Sequence, residues 1–131
     1  MISDYNRLVD TLECAFPDLH DKIKETIDWS GEVLNHVIFG QVFNPHIKNI
    51  FINYTNNNME VEKMKLATFL EDMATSDDSN VRAVLTDTIL EELLDNPKEF
   101  AVIEPYLLAK TTSLLPLIKK ALGITNKMFY E

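Results

Sequence analysis

Apolar residues in this chain recur at three- and four-residue spacing in short runs, and each run is closed by a proline, a glycine or a knot of short polar residues. That punctuation constrains the fold most, because such spacing puts apolar side chains on one face of a helix, whereas a half-buried strand needs alternation. Ser3 is placed to cap a first helix with Tyr5, Leu8, Val9, Leu12 and Phe16 on one face. Pro17 ends it, and Asp18 is placed to start a second carrying Leu19, Ile23 and Ile27, broken at Ser30-Gly31. Val33, Leu34, Val37, Ile38, Val42 and Phe43 then form a segment that is apolar nearly all round and should be the most buried helix. It is expected to stop before Pro45, since the residue preceding a proline disfavours helical angles.

Residues 46–58, "HIKNIFINYTNNN", carry two signals. Ile50, Phe51, Ile52 and Tyr54 are good strand formers, but Ile47, Ile50, Phe51 and Tyr54 also fit a helical stripe. With no partner strand in the sequence, helix is the better reading, with a loop at "TNNN". Met59 to Ala74 resumes a helix with Leu66, Phe69, Leu70 and Met73 on one face. Val81 to Leu94 places Val81, Val84, Leu85, Ile89 and Leu93 on another. Asn96 is placed to cap, and Pro97 to open, a helix with Phe100, Ile103 and Leu107 that Pro105 bends or interrupts. Ser113 is placed to cap a last helix with Pro116 in its first turn and Gly123 as its stop, and Ile124, Met128 and Phe129 of the tail are apolar enough to dock. The expectation is an all-α single domain over residues 1–131, an irregular bundle or short solenoid of about six to eight short helices. The bundle is preferred, because no fixed period marks true repeats.

A chain of 131 residues with 46% hydrophobic residues and 3 Gly can bury one core. Its net charge of −9 opposes tracking nucleic-acid phosphates or docking on anionic lipid. The single cysteine, Cys14, allows no internal disulfide framework and is expected to be semi-buried rather than nucleophilic. The first residues lack a basic-then-apolar secretory pattern, and no apolar run approaches the ~20 residues that span a bilayer. A cytoplasmic protein is expected, with "NYT" at Asn53 not glycosylated.

The acids are unevenly placed. From Glu60 to Asp95 ten acids face three bases, a net of −7, and Asp72, Asp77, Asp78, Asp87, Glu91 and Asp95 are among them. The stretch "MATSDDSN" is no calcium loop: counting from Asp77, Val81 stands at position five, Arg82 at six and Thr88 at twelve, where oxygen ligands, glycine and a bidentate glutamate are needed. It reads as a seam at which Ser76, Asp77 and Asp78 supply cap oxygens to the next helix. Asp87, Glu91 and Asp95 stand four apart and fall on one helical stripe with no Lys or Arg at the same spacing. Like charges so placed oppose the helix by roughly 0.2–0.5 kcal/mol per pair. The stripe is a solvated face, a docking stripe for a cationic partner or, least favoured, a paired-carboxylate site. His20, His36 and His46 share no ligand spacing, and no phosphate loop or nucleophile elbow occurs, so no metal, cofactor or catalytic residue is expected. Trp29 is core or an exposed anchor.

"FLEDMATSDDSNVRAVLTDTILEELLDN", the downstream "LLPLIKKALG" and the upstream "VLNHVIFGQVF" resemble a family of small, acidic, helical bacterial proteins with an F-x-E-x-M, S-x-D-x-x-V and L-E-x-L signature. Phe69 and Met73 keep that signature, whereas the acid between them is shifted. Such proteins are similar to immunity proteins of polymorphic-toxin and contact-dependent growth-inhibition systems. The resemblance implies a non-enzymatic monomer that neutralises a cognate, basic, nuclease-type toxin domain in a one-to-one complex. The six acids named above are then the partner-binding residues. A helical adaptor with a nontoxic partner and a carboxylate metal enzyme are the readings from other classes.

Overall fold

The computed structural model describes residues 4–53 and 59–123. They form seven helical segments and no strand: α1 (5–15), α2 (17–30), α3 (35–53), α4 (Glu60–Ala74), α5 (79–94), α6 (97–106) and α7 (Ala109–Ala121). α1 and α2 each open on a 3-10 turn and α6 ends on one, while α3 and α5 each contain a π-helical stretch, Phe39–Phe43 and Val84–Leu90. The expectations at Ser3, Tyr54, "TNNN" and the tail residues Ile124, Met128 and Phe129 lie outside the described residues.

The expected stops act as elementary stereochemistry requires. Pro17 and Pro97 each take the first position of a helical segment, where the missing N–H costs nothing. Asn96 accepts from the Glu99 N–H at 3.2 Å. Gly31 and Gly123 end α2 and α7 at φ of 80° and 71°, a left-handed conformation cheap only for glycine. Asp4, at the first described position, caps α1 through the Asn6 N–H.

Three expectations about boundaries are corrected. α3 does not stop before Pro45 but runs on to Asn53, which also places Ile47, Ile50 and Phe51 on a buried helical face. The preceding turn is widened, with the Asn44 N–H bonding the Phe39 carbonyl five residues back, and this break in the usual ladder lets the helix absorb a proline. Val33 and Leu34 precede α3 and are exposed. α7 begins at Ala109, so Pro116 is interior and Ser113 is no cap; its hydroxyl donates to the Lys110 carbonyl. The cap comes from α4, where the Glu71 carboxylate accepts from the N–H groups of Lys110 (3.0 Å) and Thr111 (2.9 Å) and from the Thr111 hydroxyl (3.0 Å). Cys14 is exposed rather than semi-buried, on the solvent face of α1 opposite Leu12 and Phe16.

The core joins the apolar faces of all seven segments. At its centre Phe16, Phe43 and Phe69 pack with ring centroids 5.4–5.5 Å apart, Phe69 edge-on to both others and the Phe16–Phe43 pair tilted, and Phe39 packs on Phe43. α3 touches α6, and α4 touches α7, across the chain order. A solenoid would keep each helix to its sequence neighbours, so this is an irregular bundle. α3 and α5 meet along their π-helical stretches, and that meeting positions the site.

An acidic groove where two widened helical turns meet

Asp87, Glu91 and Asp95 share one open groove of about 430 Å³, lined also by His36, Gly40, Thr88, Glu92 and Leu122. The stripe expected from four-residue spacing is therefore real, and Glu92 joins it. In the π-helical stretch the Glu91 N–H bonds the Thr86 carbonyl five residues back. A turn that closes on the fifth residue brings Glu92, five after Asp87, onto the wall that an ordinary helix would reserve for Glu91. Nothing in apolar periodicity marks such a turn, so Glu92 was not legible as a groove residue.

The opposite wall is α3. Asn44, fully buried, sends its amide nitrogen to the Thr88 carbonyl at 3.1 Å and to the Glu92 carboxylate. His36 Nδ1 hydrogen-bonds the Thr88 hydroxyl. Gly40 presents bare backbone to Thr88 and Glu92. These contacts hold the two helices in register while Asp87 and Asp95 stay exposed and Glu91 half-buried. Among the described residues none of the four carboxylates makes an ion pair; the pairs present are His20–Glu13 and Lys119–Glu104.

Placement makes these charges costly. Glu91 and Glu92 lie in the last turn of α5 and Asp95 is its C-cap, where the unpaired carbonyls leave a partial negative charge. Acids there are disfavoured by roughly 0.3–1 kcal/mol each at an exposed site. The like-charge spacing of Asp87, Glu91 and Asp95 adds to this.

The other three predicted acids lie elsewhere. Asp78 caps α5 by accepting from the Asn80 N–H at 2.9 Å, and its second oxygen accepts from the Tyr5 N–H at 2.9 Å, so one carboxylate starts two helices. Those donors, Tyr5 first, hold its carboxyl below the usual carboxylate range. The Ser76 hydroxyl accepts from the Asp78 N–H, and Arg82 donates to the Ser76 carbonyl, closing the seam. Asp77 is exposed there, and Asp72 is half-buried on α4. None of the three lines the groove.

A second groove of about 340 Å³ adjoins the first. Tyr5, Asn6, Val33, Leu34, Asn35, His36 and Val37 line it, so His36 belongs to both. Trp29, four residues before Val33, is an exposed residue at 83%, not a core one. Among the described residues no group of three or more His, Cys, Asp or Glu side chains is arranged to hold a metal ion, and no helix is long and apolar enough to cross a membrane.

Fold and site together define an all-α helical bundle with an acidic groove between two π-helical turns. The chain belongs to the DUF7674 family, a domain of unknown function, whose model matches residues 9–120 and so takes in both walls of the groove. No curated protein and no solved structure matches it.

Proposed function

We propose that this protein is an immunity protein that binds a cognate, basic, nuclease-type toxin domain and occludes its active site with the acidic groove. The observation that carries this reading is the set of four carboxylates, Asp87, Glu91, Glu92 and Asp95, along one open groove, none of them in an ion pair among the described residues and three of them, Glu91, Glu92 and Asp95, at the helix C-terminus, where helix electrostatics opposes them. Charge placed against stability is accounted for when a cationic partner neutralises it. A nuclease must hold phosphates with cations, and carboxylates can stand in for the phosphate oxygens. Complementary potentials also raise the encounter rate, an effect that salt screens. The family resemblance of the acidic helices supports the same partner class, as does the net charge of −9. A monomer acting one-to-one in the cytoplasm fits this role.

Asp87→Lys combined with Glu91→Lys tests the proposal, since neither side chain belongs to the core. The double variant should keep the parent's helical circular dichroism while associating with the captured partner at least about tenfold more slowly at low salt, with the gap narrowing as salt rises. Unchanged association would remove the groove from the interface. A captured partner with no toxicity, and no protection against any toxin, would favour a helical adaptor instead.

A further inference from the structure

The apolar groove beside the acidic one has its own chemistry. Val33 is 55% exposed and Leu34 37%, and together with Tyr5 and Val37 they line a recess that also takes in His36. His36 stands at the boundary, with Nδ1 on the Thr88 hydroxyl, so the acidic surface begins where the apolar one ends. Asn35 fixes the far wall by donating to the Tyr5 carbonyl at 3.2 Å.

Resting on the reading that the acidic groove takes a basic protein partner, we propose that the two grooves form one docking surface for a single cationic protein segment, whose bulky apolar side chain seats between Tyr5, Val33, Leu34 and Val37 while its basic side chains face Asp87, Glu91, Glu92 and Asp95. Charge complementarity selects this occupant and orients it. An inorganic cation or a polyamine has nothing to place in the apolar recess. An anionic membrane or a nucleic acid is repelled by the adjoining carboxylates. A purely apolar segment leaves those carboxylates desolvated without partners, which is costly. The division of labour follows: the acids set the association rate, and the apolar anchor, buried on binding, sets the residence time.

The test uses the full chain, isotopically labelled for NMR, and three synthetic peptides. One interleaves arginines with leucines, one carries the same arginines with serine for leucine, and one carries the same leucines with serine for arginine. The mixed peptide should bind at least about tenfold tighter than either control and shift the amides of Val33, Leu34, Val37 and Asp87 together. Val33→Ser with Leu34→Ser should speed its dissociation about tenfold and leave association unchanged, whereas Asp87→Lys with Glu91→Lys should slow association. Equal affinities of the mixed and all-arginine peptides, with shifts confined to the acidic groove, overturn the two-part surface and leave the proposed function standing. No binding by any peptide, together with unaltered partner capture by the Asp87/Glu91 variant, overturns both. Self-association abolished by Val33→Ser and Leu34→Ser would assign the recess to a second copy of the chain, and shifts at Val33 and Leu34 on removing residues 124–131 would assign it to the chain's own tail; either overturns the proposal.

Discussion

Replacing Glu71 with alanine should cost more stability than any other single change to a partly exposed acid in this protein. α7 has no cap of its own, because Leu108 at its N-terminal boundary offers no side-chain acceptor. Glu71 supplies three acceptor contacts instead, to the Lys110 N–H, the Thr111 N–H and the Thr111 hydroxyl. Loss of a helix cap costs typically about 1 kcal/mol. Thr111 is fully buried, so its hydroxyl loses a partner that water does not easily replace, worth roughly 1–2 kcal/mol more. The expected loss is about 2–3 kcal/mol, read as a fall of about 1–2 M in the urea midpoint with an unchanged slope. Asp72→Ala, next in sequence, should change stability by less than about 0.5 kcal/mol. The difference should depend on acidity. Burial raises the Glu71 carboxyl, but the N–H donors of Thr111 and Lys110 outweigh it and hold the folded pKa below the ordinary value of 4.5. The unfolded chain therefore takes up the proton first. The cap is at full strength above about pH 4.5 and weakens as pH falls through the folded pKa. A Glu71→Ala loss no larger than that of Asp72→Ala would refute the reasoning.

Other substitutions probe the remaining features. Gly40→Ala should raise stability by about 0.5–1 kcal/mol in thermal or urea unfolding, since a methyl group there meets Thr88 at an ordinary 3.5 Å and the position is helical. Phe43→Ala, which empties the middle of the aromatic cluster, should cost about 3–5 kcal/mol on the same assay. His46 is pushed below its ordinary 6.5 chiefly by burial, against the opposing pull of Glu62 and Asp18. The unfolded state thus binds its proton first, and stability should decline as pH drops from 6.5 towards the folded pKa. In His46→Phe, urea unfolding between about pH 5 and 8 should show a flatter slope over that window.

The helices were legible wherever a local rule sets the boundary. Pro17, Gly31, Asn96-Pro97 and Gly123 act through their own backbone conformation or through donors within three residues, and a sequence displays that directly. The apolar faces of α1, α4 and α5 were legible for the same reason, because burial follows helical period. The features that escaped depend on distant residues or on a broken period. The start of α7 is determined by Glu71, 39 and 40 residues upstream of its two N–H partners. Pro45 lies within α3 because a widened turn precedes it, and a comparable turn in α5 carries Glu92 into the groove. The acidic excess between Glu60 and Asp95 also divides in a way that counting hides. Glu60 bonds the Tyr106 hydroxyl, Glu71 caps α7 and Asp78 caps two helices, so part of the charge serves the fold and part lines the groove.

The central claim is that the acidic groove docks a basic toxin domain. Its most direct test is parallel affinity capture from the organism that encodes the protein, using the parent and the Asp87→Lys, Glu91→Lys variant as baits, followed by nuclease assay of what is retained. One basic protein should be held near one-to-one by the parent and lost from the variant, with nuclease activity that one equivalent of the parent abolishes. The same protein held equally by both baits, or a retained partner whose nuclease activity the parent leaves intact, would contradict it.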